Sequence, residues 1–290
     1  MDILGVLPNG YHEVETIMQS IGLMDEIEVL WEEIPGMGQV EIKITCNKPF
    51  VPLDEKNLAA KAVRLMEKVR VERFPDGTRP EGRVSIDIQK SIPVAAGLAG
   101  GSGNAASCMI AMNELWNMGL TVEELLGLAA GLGADVPFTL LSQVSDTRCA
   151  LGQGIGDKLT AVENKLGMDV LLVNPGFGVS TAEVYRGIDG IPDEERTRPD
   201  TAGLMEALSA GDEDRAYRAM GNGLEDYTLK AYPEVARIKE EMRDTEGLLL
   251  TMMSGSGPTV IGFYRNGDDA HKAALGFRKA GYTVVTAEKV

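Results

Sequence analysis

The chain is poor in the residues that build metal and disulfide sites. Its three cysteines, Cys46, Cys108 and Cys149, lie far apart and form no CxxC pair. So sparse and odd a set reads as reduced thiols of a cytoplasmic protein, not as a disulfide framework. The two histidines, His12 and His271, have no second histidine or cysteine at ligand spacing, which argues against a zinc site. No nucleophile motif accompanies them, so a Ser-His-Asp arrangement has no support. Apolar runs approaching the roughly 20 residues of a membrane span are missing. The opening residues lack the basic-then-apolar signature of a secretory signal. Basic charge is also scarce: 28 Lys and Arg against 44 Asp and Glu leave a net charge of −16. Nucleic acid and anionic membranes recruit basic surfaces, so neither is an expected partner. A small anion is still possible, because backbone N–H groups can hold a phosphate without entering a charge count.

What is present suits a soluble protein of one large or two ordinary domains: 290 residues, 44% hydrophobic and 25% charged. Alternating residues at 25–31, 40–46 and 84–90 predict strands. Residues 57–69 (NLAAKAVRLMEKV) place Leu58, Ala62, Leu65 and Val69 on one helical face. Residues 104–118 do the same with Cys108, Met109, Met112, Leu115 and Trp116. Thr121 and Glu124 form a capping-box signature for a further helix. Beyond Pro137, residues 138–151 look irregular, and 152–156 (GQGIG) form a turn. Further on, the pattern predicts a buried strand at 169–173, a surface loop at 187–200 and helices at 201–210, 213–222 and 232–244. A strand–turn–strand unit at 248–264, a helix at 268–280 and a last strand complete the chain. Strands and helices mix without a regular βαβ beat, so the fold class is α+β in two lobes, 1–150 and 151–290.

One stretch carries chemistry. PVAAGLAGGSGNAAS, residues 93–107, is dense in glycine and alanine and bears no charge. It follows a strand pattern and precedes a helix pattern. Glycines let the backbone approach a ligand closely, and the first helical turn offers unpaired N–H groups at the positive end of the helix dipole. The combination suits polyphosphate, and Ser102 adds a hydroxyl for a phosphate oxygen or Mg²⁺. Neither a Walker loop nor a dinucleotide fingerprint fits, for no lysine follows Gly101 or Gly103 and the G-x-G-x-x-G pattern lacks its last glycine. On residues alone, a flexible connection or a close helix–sheet contact remains the alternative.

The same stretch resembles the ATP-binding motif of the GHMP kinases (galactose, homoserine, mevalonate and phosphomevalonate kinases). Three other segments narrow the resemblance. PNGYHEVETIMQSIGLMDEI at 8–27, LGADVPF at 132–138 and MMSGSGPTVIGFY at 252–264 resemble, in order, segments of the branch acting on 4-diphosphocytidyl-2-C-methyl-D-erythritol. The resemblance implies a ribosomal-protein-S5-domain-2-like N-terminal domain and a ferredoxin-like C-terminal domain. It also implies transfer of the ATP γ-phosphate to the 2-hydroxyl of that substrate, on the non-mevalonate route to isoprenoid precursors. Such chemistry asks for positioning and charge stabilisation. By resemblance, Asp135 is the catalytic aspartate that orients or deprotonates the hydroxyl; as a residue it could equally cap a turn before Pro137. Pro93, Gly97, Leu98, Ala99, Gly100, Gly101, Ser102, Gly103 and Asn104 match the phosphate loop. Gly255, Ser256 and Gly257 match the motif backing it. Asn57, Leu58 and Lys90 match positions around adenine and ribose, though Asn57 is an equally good helix cap. Tyr11 and His12 match a cytosine-recognising pair, Tyr185 the opposite wall of that sandwich, and Thr181 and Ile155 the substrate pocket. Mg²⁺ is inferred from ATP chemistry alone, and monomer and homodimer both remain open.

Two departures from the family pattern stand out. Members open with a strand resembling AKINL, whose lysine lies near the aspartate and γ-phosphate; this sequence starts after it, and its first lysine is Lys43. The expectation is that these residues alone bind ligands weakly and turn over poorly. Residues 142–153 look longer than their family counterpart, and Gln153 replaces a usual glutamate. The competing readings are another GHMP small-molecule kinase and a catalytically weakened nucleotide-binding relative.

Overall fold

A computed structural model describes residues 1–73, 79–167 and 169–288. The chain opens with strands β1 (Asp2–Val6) and β2 (His12–Gln19), followed by β3 (Glu26–Glu33) and β4 (Val40–Cys46). Helix α1 (Leu58–Arg73), strand β5 (Gly82–Gln89) and helices α2 (Gly100–Leu115), α3 (Val122–Ala129) and α4 (Val136–Val144) come next. Strands β6 (Cys149–Gln153), β7 (Lys158–Ala161) and β8 (Asp169–Asn174) lead to a helical run. That run is α5 (Thr181–Asp189), α6 (Thr201–Ala210), α7 (Glu213–Ala219), α8 (Glu225–Ala231) and α9 (Pro233–Arg243). Strands β9 (Leu248–Met253) and β10 (Val260–Tyr264), helix α10 (Gly267–Lys279) and strand β11 (Thr283–Glu288) finish the fold.

Two compact units emerge. One comprises Leu23–Val94 and Ala99–Asp146; the other comprises Met1–Gly22, Ala95–Leu98 and Thr147–Val290. These differ from a single cut at 150 because β2 hydrogen-bonds β6 in antiparallel register, Thr16 opposite Gly152, which ties the opening hairpin to the later part of the chain.

In the unit holding β3, β4 and β5, the sheet order is β3-β5-β4, with β4 and β5 parallel. Residues of β5 alternate in burial, so Val84, Ile86 and Ile88 enter the core with Met66 of α1, Met109 and Met112 of α2, and Leu140 of α4. Period-2 alternation on a strand and an apolar helical face meet there, as the sequence pattern requires. Thr121 and Glu124 make the expected reciprocal cap of α3. Leu115, placed on the apolar side of its helix from spacing, is exposed instead. Residues 138–151, expected to be irregular, contain most of α4 and the start of β6. Pro137 is the reason for that difference: it stands in the first helical turn, where a missing N–H costs nothing, so it starts a helix.

In the other unit, one sheet has the order β1-β2-β6-β7 and a second the order β11-β8-β10-β9, with all its neighbours antiparallel. The second sheet, with helices between β8 and β9 and between β10 and β11, has ferredoxin-like connectivity. Its core gathers Leu171, Val173, Val260, Ile238, Met242 and Phe277. The expected loop at 187–200 keeps a short 3₁₀ turn at Asp193–Glu195, and α8 lies in a stretch to which the sequence pattern assigned no helix.

Candidate active site

Helix α2 begins four residues earlier than the apolar periodicity suggested, at Gly100, inside the glycine stretch. Its N-cap is Ala99, with φ 52° and no side-chain cap bond. The first-turn N–H groups are thus not consumed by a capping side chain, which leaves them able to receive an anion. Ala95 also has positive φ, 53°. Left-handed alanine costs of order 1–3 kcal/mol per residue, strain that concentrates at ligand clamps. Gly101 packs against Leu58 of α1: a Cβ there would lie 3.6 Å from Leu58 Cδ1. A Cβ on Gly103 would meet nothing within 4 Å, so that backbone is open. Ser102 is half-buried in the first turn.

The other neighbours expected at the nucleotide are differently employed. Asn57 caps α1, its Oδ1 accepting from Ala59 N–H (3.0 Å) while its Nδ2 donates to Pro52 O (2.7 Å). Lys90 is buried and paired with Asp25, with its ammonium also donating to Asn104 Oδ1 at 3.3 Å. Asn104, expected as a cap-forming residue, sits inside α2 and donates to Asp25 Oδ2 at 3.1 Å. Asp25 was not singled out from sequence; its place in the MDEI segment was the available signal.

Asp135 heads α4 with helical φ/ψ and makes no capping bond, so the turn-capping alternative does not describe its side chain. Asp135 keeps water-accessible surface, yet the mass of surrounding protein desolvates its carboxyl and raises the pKa above the ordinary value. A carboxylate with a raised pKa and no structural partner in its helix is suited to accept a hydroxyl proton.

In the unit that holds Ala95–Leu98, Gly97 abuts the turn after β9. Ser254 Oγ donates to Gly97 O at 2.8 Å, and a Cβ on Gly97 would come within 2.4 Å of Ser254 O. Gly255 and Gly257 have positive φ (53° and 86°), which glycine alone adopts freely. Ser256 Oγ and Thr181 Oγ1 are 2.9 Å apart, so the turn and the first residue of α5 are joined. Sequence reasoning missed what holds this turn. Asn222, 2% exposed, donates from Nδ2 to Met253 O and Gly255 O (2.9 and 2.8 Å). Glu225 accepts from Met253 N–H at 2.6 Å and pairs with Lys239 at 2.5 Å.

His12 opens β2, and its ring stacks on Tyr185 of α5, centroids 4.6 Å apart at 28°. Its Nε2 lies 2.7 Å from Asp189 Oδ1. Tyr11 is 61% exposed. Of the expected pair Tyr11 and His12 with Tyr185 opposite, the ring lying on Tyr185 is that of His12. Ile155 sits half-buried at the β6–β7 turn, which Val14 N–H ties to β2 by a 2.8 Å bond to Gly154 O.

Two family models match the chain: "GHMP kinases N terminal domain" over residues 57–143 and "GHMP kinases C terminal" over residues 204–283. A relative from Geobacillus sp. (strain WCH70), named 4-diphosphocytidyl-2-C-methyl-D-erythritol kinase, is 41% identical over 280 residues, 96% of this chain and 89% of the relative. The chain belongs to the GHMP kinases, within the 4-diphosphocytidyl-2-C-methyl-D-erythritol kinase family. A relative of the same name from Clostridium novyi (strain NT) is 41% identical over 94% of this chain and 89% of its own length. Among solved structures, a 4-(cytidine 5'-diphospho)-2C-methyl-D-erythritol kinase superposes with a TM-score of 0.74 at 28% identity, covering 99% of this chain and 93% of that one. A mevalonate kinase from L. major, at 17% identity and a TM-score of 0.70, covers 96% of this chain and 90% of its own and shares the GHMP fold. In this family, residues 57–143 hold α1, the glycine stretch and Asp135, and residues 204–283 hold the Ser254–Gly257 turn.

Proposed function

We propose that this GHMP kinase transfers the γ-phosphate of ATP to the 2-hydroxyl of 4-diphosphocytidyl-2-C-methyl-D-erythritol. The observation that carries the reading is the uncapped first turn of α2, opened by left-handed Ala99, within a chain 41% identical over 96% of its length to a kinase of that name. The main-chain N–H groups of Gly100, Gly101 and Ser102 hold the triphosphate. Asp135 lies at the acceptor hydroxyl and takes its proton as the phosphoryl group moves. His12 and Tyr185 receive the cytosine, the ring face supplying stacking and the imidazole an edge contact. Tyr11, Thr181 and Ile155 border that substrate, and Gly255, Ser256 and Gly257 support the phosphate loop.

Among the described residues no group of three or more His, Cys, Asp or Glu could hold a metal ion by itself. Mg²⁺ entering with ATP needs no such group, since it is commonly carried by one or two protein oxygens plus substrate phosphates. Ser102 is the oxygen donor that would hold it beside the substrate phosphates, and bound Mg²⁺ would neutralise phosphate charge.

The test is a coupled assay of the purified chain with ATP and 4-diphosphocytidyl-2-C-methyl-D-erythritol, beside mevalonate, homoserine and galactose. ADP release confined to the cytidine substrate supports the proposal. Turnover of a cytidine-free alcohol in its place would refute it.

A further inference from the structure

Asp25, Lys90 and Asn104 form a buried polar cluster that the phosphoryl-transfer reading does not use. The Lys90 and Asp25 side chains are 5% and 3% exposed. Asp25 Oδ1 accepts from the N–H groups of Ser91 and Ile92, each at 2.9 Å. Its Oδ2 meets the Lys90 ammonium and accepts from Asn104 Nδ2 at 3.1 Å. Lys90 closes the triangle by donating to Asn104 Oδ1 at 3.3 Å. One carboxylate therefore holds the main chain just ahead of Pro93 and, through Lys90 and Asn104, the first turns of α2. The packing is tight on the α2 side: a Cβ on Gly100 would lie 2.8 Å from Lys90 Nζ and 2.9 Å from Ile92 Cγ2.

A buried ion pair is a poor source of stability, since desolvation offsets its attraction and apolar replacements of similar volume are often neutral or better. What such a cluster supplies is fixed geometry. We infer that Asp25 is a positioning residue for nucleotide binding: it clamps Ser91–Ile92 and the start of α2 to one point, and so aims the unpaired first-turn N–H groups at the phosphates. The Lys90 and Asn104 side chains act through this clamp. The inference rests on the ATP reading above.

The double variant Asp25→Leu/Lys90→Met tests the clamp without leaving a lone buried charge, because it removes both charges together, and the comparison of the two KM values separates a positioning effect from a general loss of stability. The full chain is assayed for KM of ATP, KM of the cytidine substrate, kcat and thermal unfolding. The expected result is a folded protein with a lowered thermal midpoint, since the Ser91 and Ile92 N–H groups and the Asn104 amide lose their partners, and with KM for ATP raised about tenfold or more, as slight misplacement of a binding group brings. KM for the cytidine substrate stays put. A folded double variant with unchanged KM for ATP overturns the inference. Should that variant fail to fold, Asn104→Ala, which keeps the ion pair, decides the matter: a raised KM for ATP supports the clamp and an unchanged one refutes it. Titration of ATP with Mg²⁺ into each protein keeps the two claims apart. Wild type that binds ATP without phosphorylating the substrate refutes the substrate assignment alone, whereas equal ATP affinity in wild type and variant refutes the clamp alone.

Discussion

Gly97 and Ser254 lie back to back, so close that a Cβ on Gly97 would stand 2.4 Å from the Ser254 carbonyl oxygen and 3.0 Å from that of Gly257. Gly97 also has φ +71°, where side chains are strained. Both obstacles are main chain and cannot rotate away. Gly97→Ala must therefore displace either the phosphate loop or the turn after β9. We expect KM for ATP to rise at least tenfold, with a strain of roughly 1–3 kcal/mol appearing as a lowered unfolding midpoint. Ser254→Ala removes only the hydroxyl that donates to Gly97 O; an exposed neutral hydrogen bond is worth about 0.5–1.5 kcal/mol, so its effect is smaller. Steady-state kinetics at varied ATP separate the two variants, and equal behaviour would contradict the packing argument.

Asp135 links activity to stability with opposite signs. Desolvation raises its carboxyl pKa in the folded chain, so the folded state binds that proton more tightly than the unfolded state does. Ionisation therefore costs stability once pH exceeds the unfolded value, and the cost vanishes at pH low enough to protonate both states. Asp135→Asn is expected to melt higher than wild type at neutral pH, with the difference closing as pH falls through the raised folded pKa. The same change should lower kcat by about 10²–10⁴, the usual contribution of a positioned base. Thermal melts across pH, run beside kcat, check both halves; a variant that is less stable at neutral pH contradicts the desolvation.

Tyr185 and His12 offer a different separation. Stacking of a base on an aromatic ring is worth about 1–3 kcal/mol. Tyr185→Ala should raise KM for the cytidine substrate by roughly tenfold to a hundredfold, with KM for ATP unmoved. Asp189→Asn keeps the ring and alters only the carboxylate beside His12 Nε2, so its effect on the same KM should be smaller. A shift in ATP affinity from either variant would argue against a cytidine role for this pair.

How much of this was legible beforehand depended on the range of the interaction. The glycine stretch, the α3 capping box and the alternating strands are written in local spacing, and the structure carries them. α4 escapes the local pattern because Pro137 reads as a break in regular structure but stands in a first helical turn. The joining of Met1–Gly22 to the later unit was hidden because β2 finds β6 more than a hundred residues away. Lys90 shows the limit of motif matching: its position matches a nucleotide contact, but only the fold reveals Asp25 beside it. Asn222 and Glu225 carry no motif at all, and both hold main-chain groups far along the chain, at the end of β9 and in the turn after it.

Asn222 gives the last test. Its amide donates to two carbonyls, Met253 O and Gly255 O, and accepts from Leu224 N–H at 3.0 Å. Truncation strands buried main-chain groups, each costing about 1–3 kcal/mol when left unpaired. Asn222→Ala should thus lower the unfolding free energy by several kcal/mol and loosen the turn that Ser254 ties to Gly97. Asn222→Asp preserves the shape and the acceptor for Leu224 but loses both donors, and it sets a carboxylate against two carbonyl oxygens. It should be at least as destabilising as Asn222→Ala, with hydrogen exchange faster at Ser254 and Gly257 than in wild type. Denaturant melts rank the variants, and a fully stable Asn222→Asp protein would show that the two donated bonds do not hold the turn.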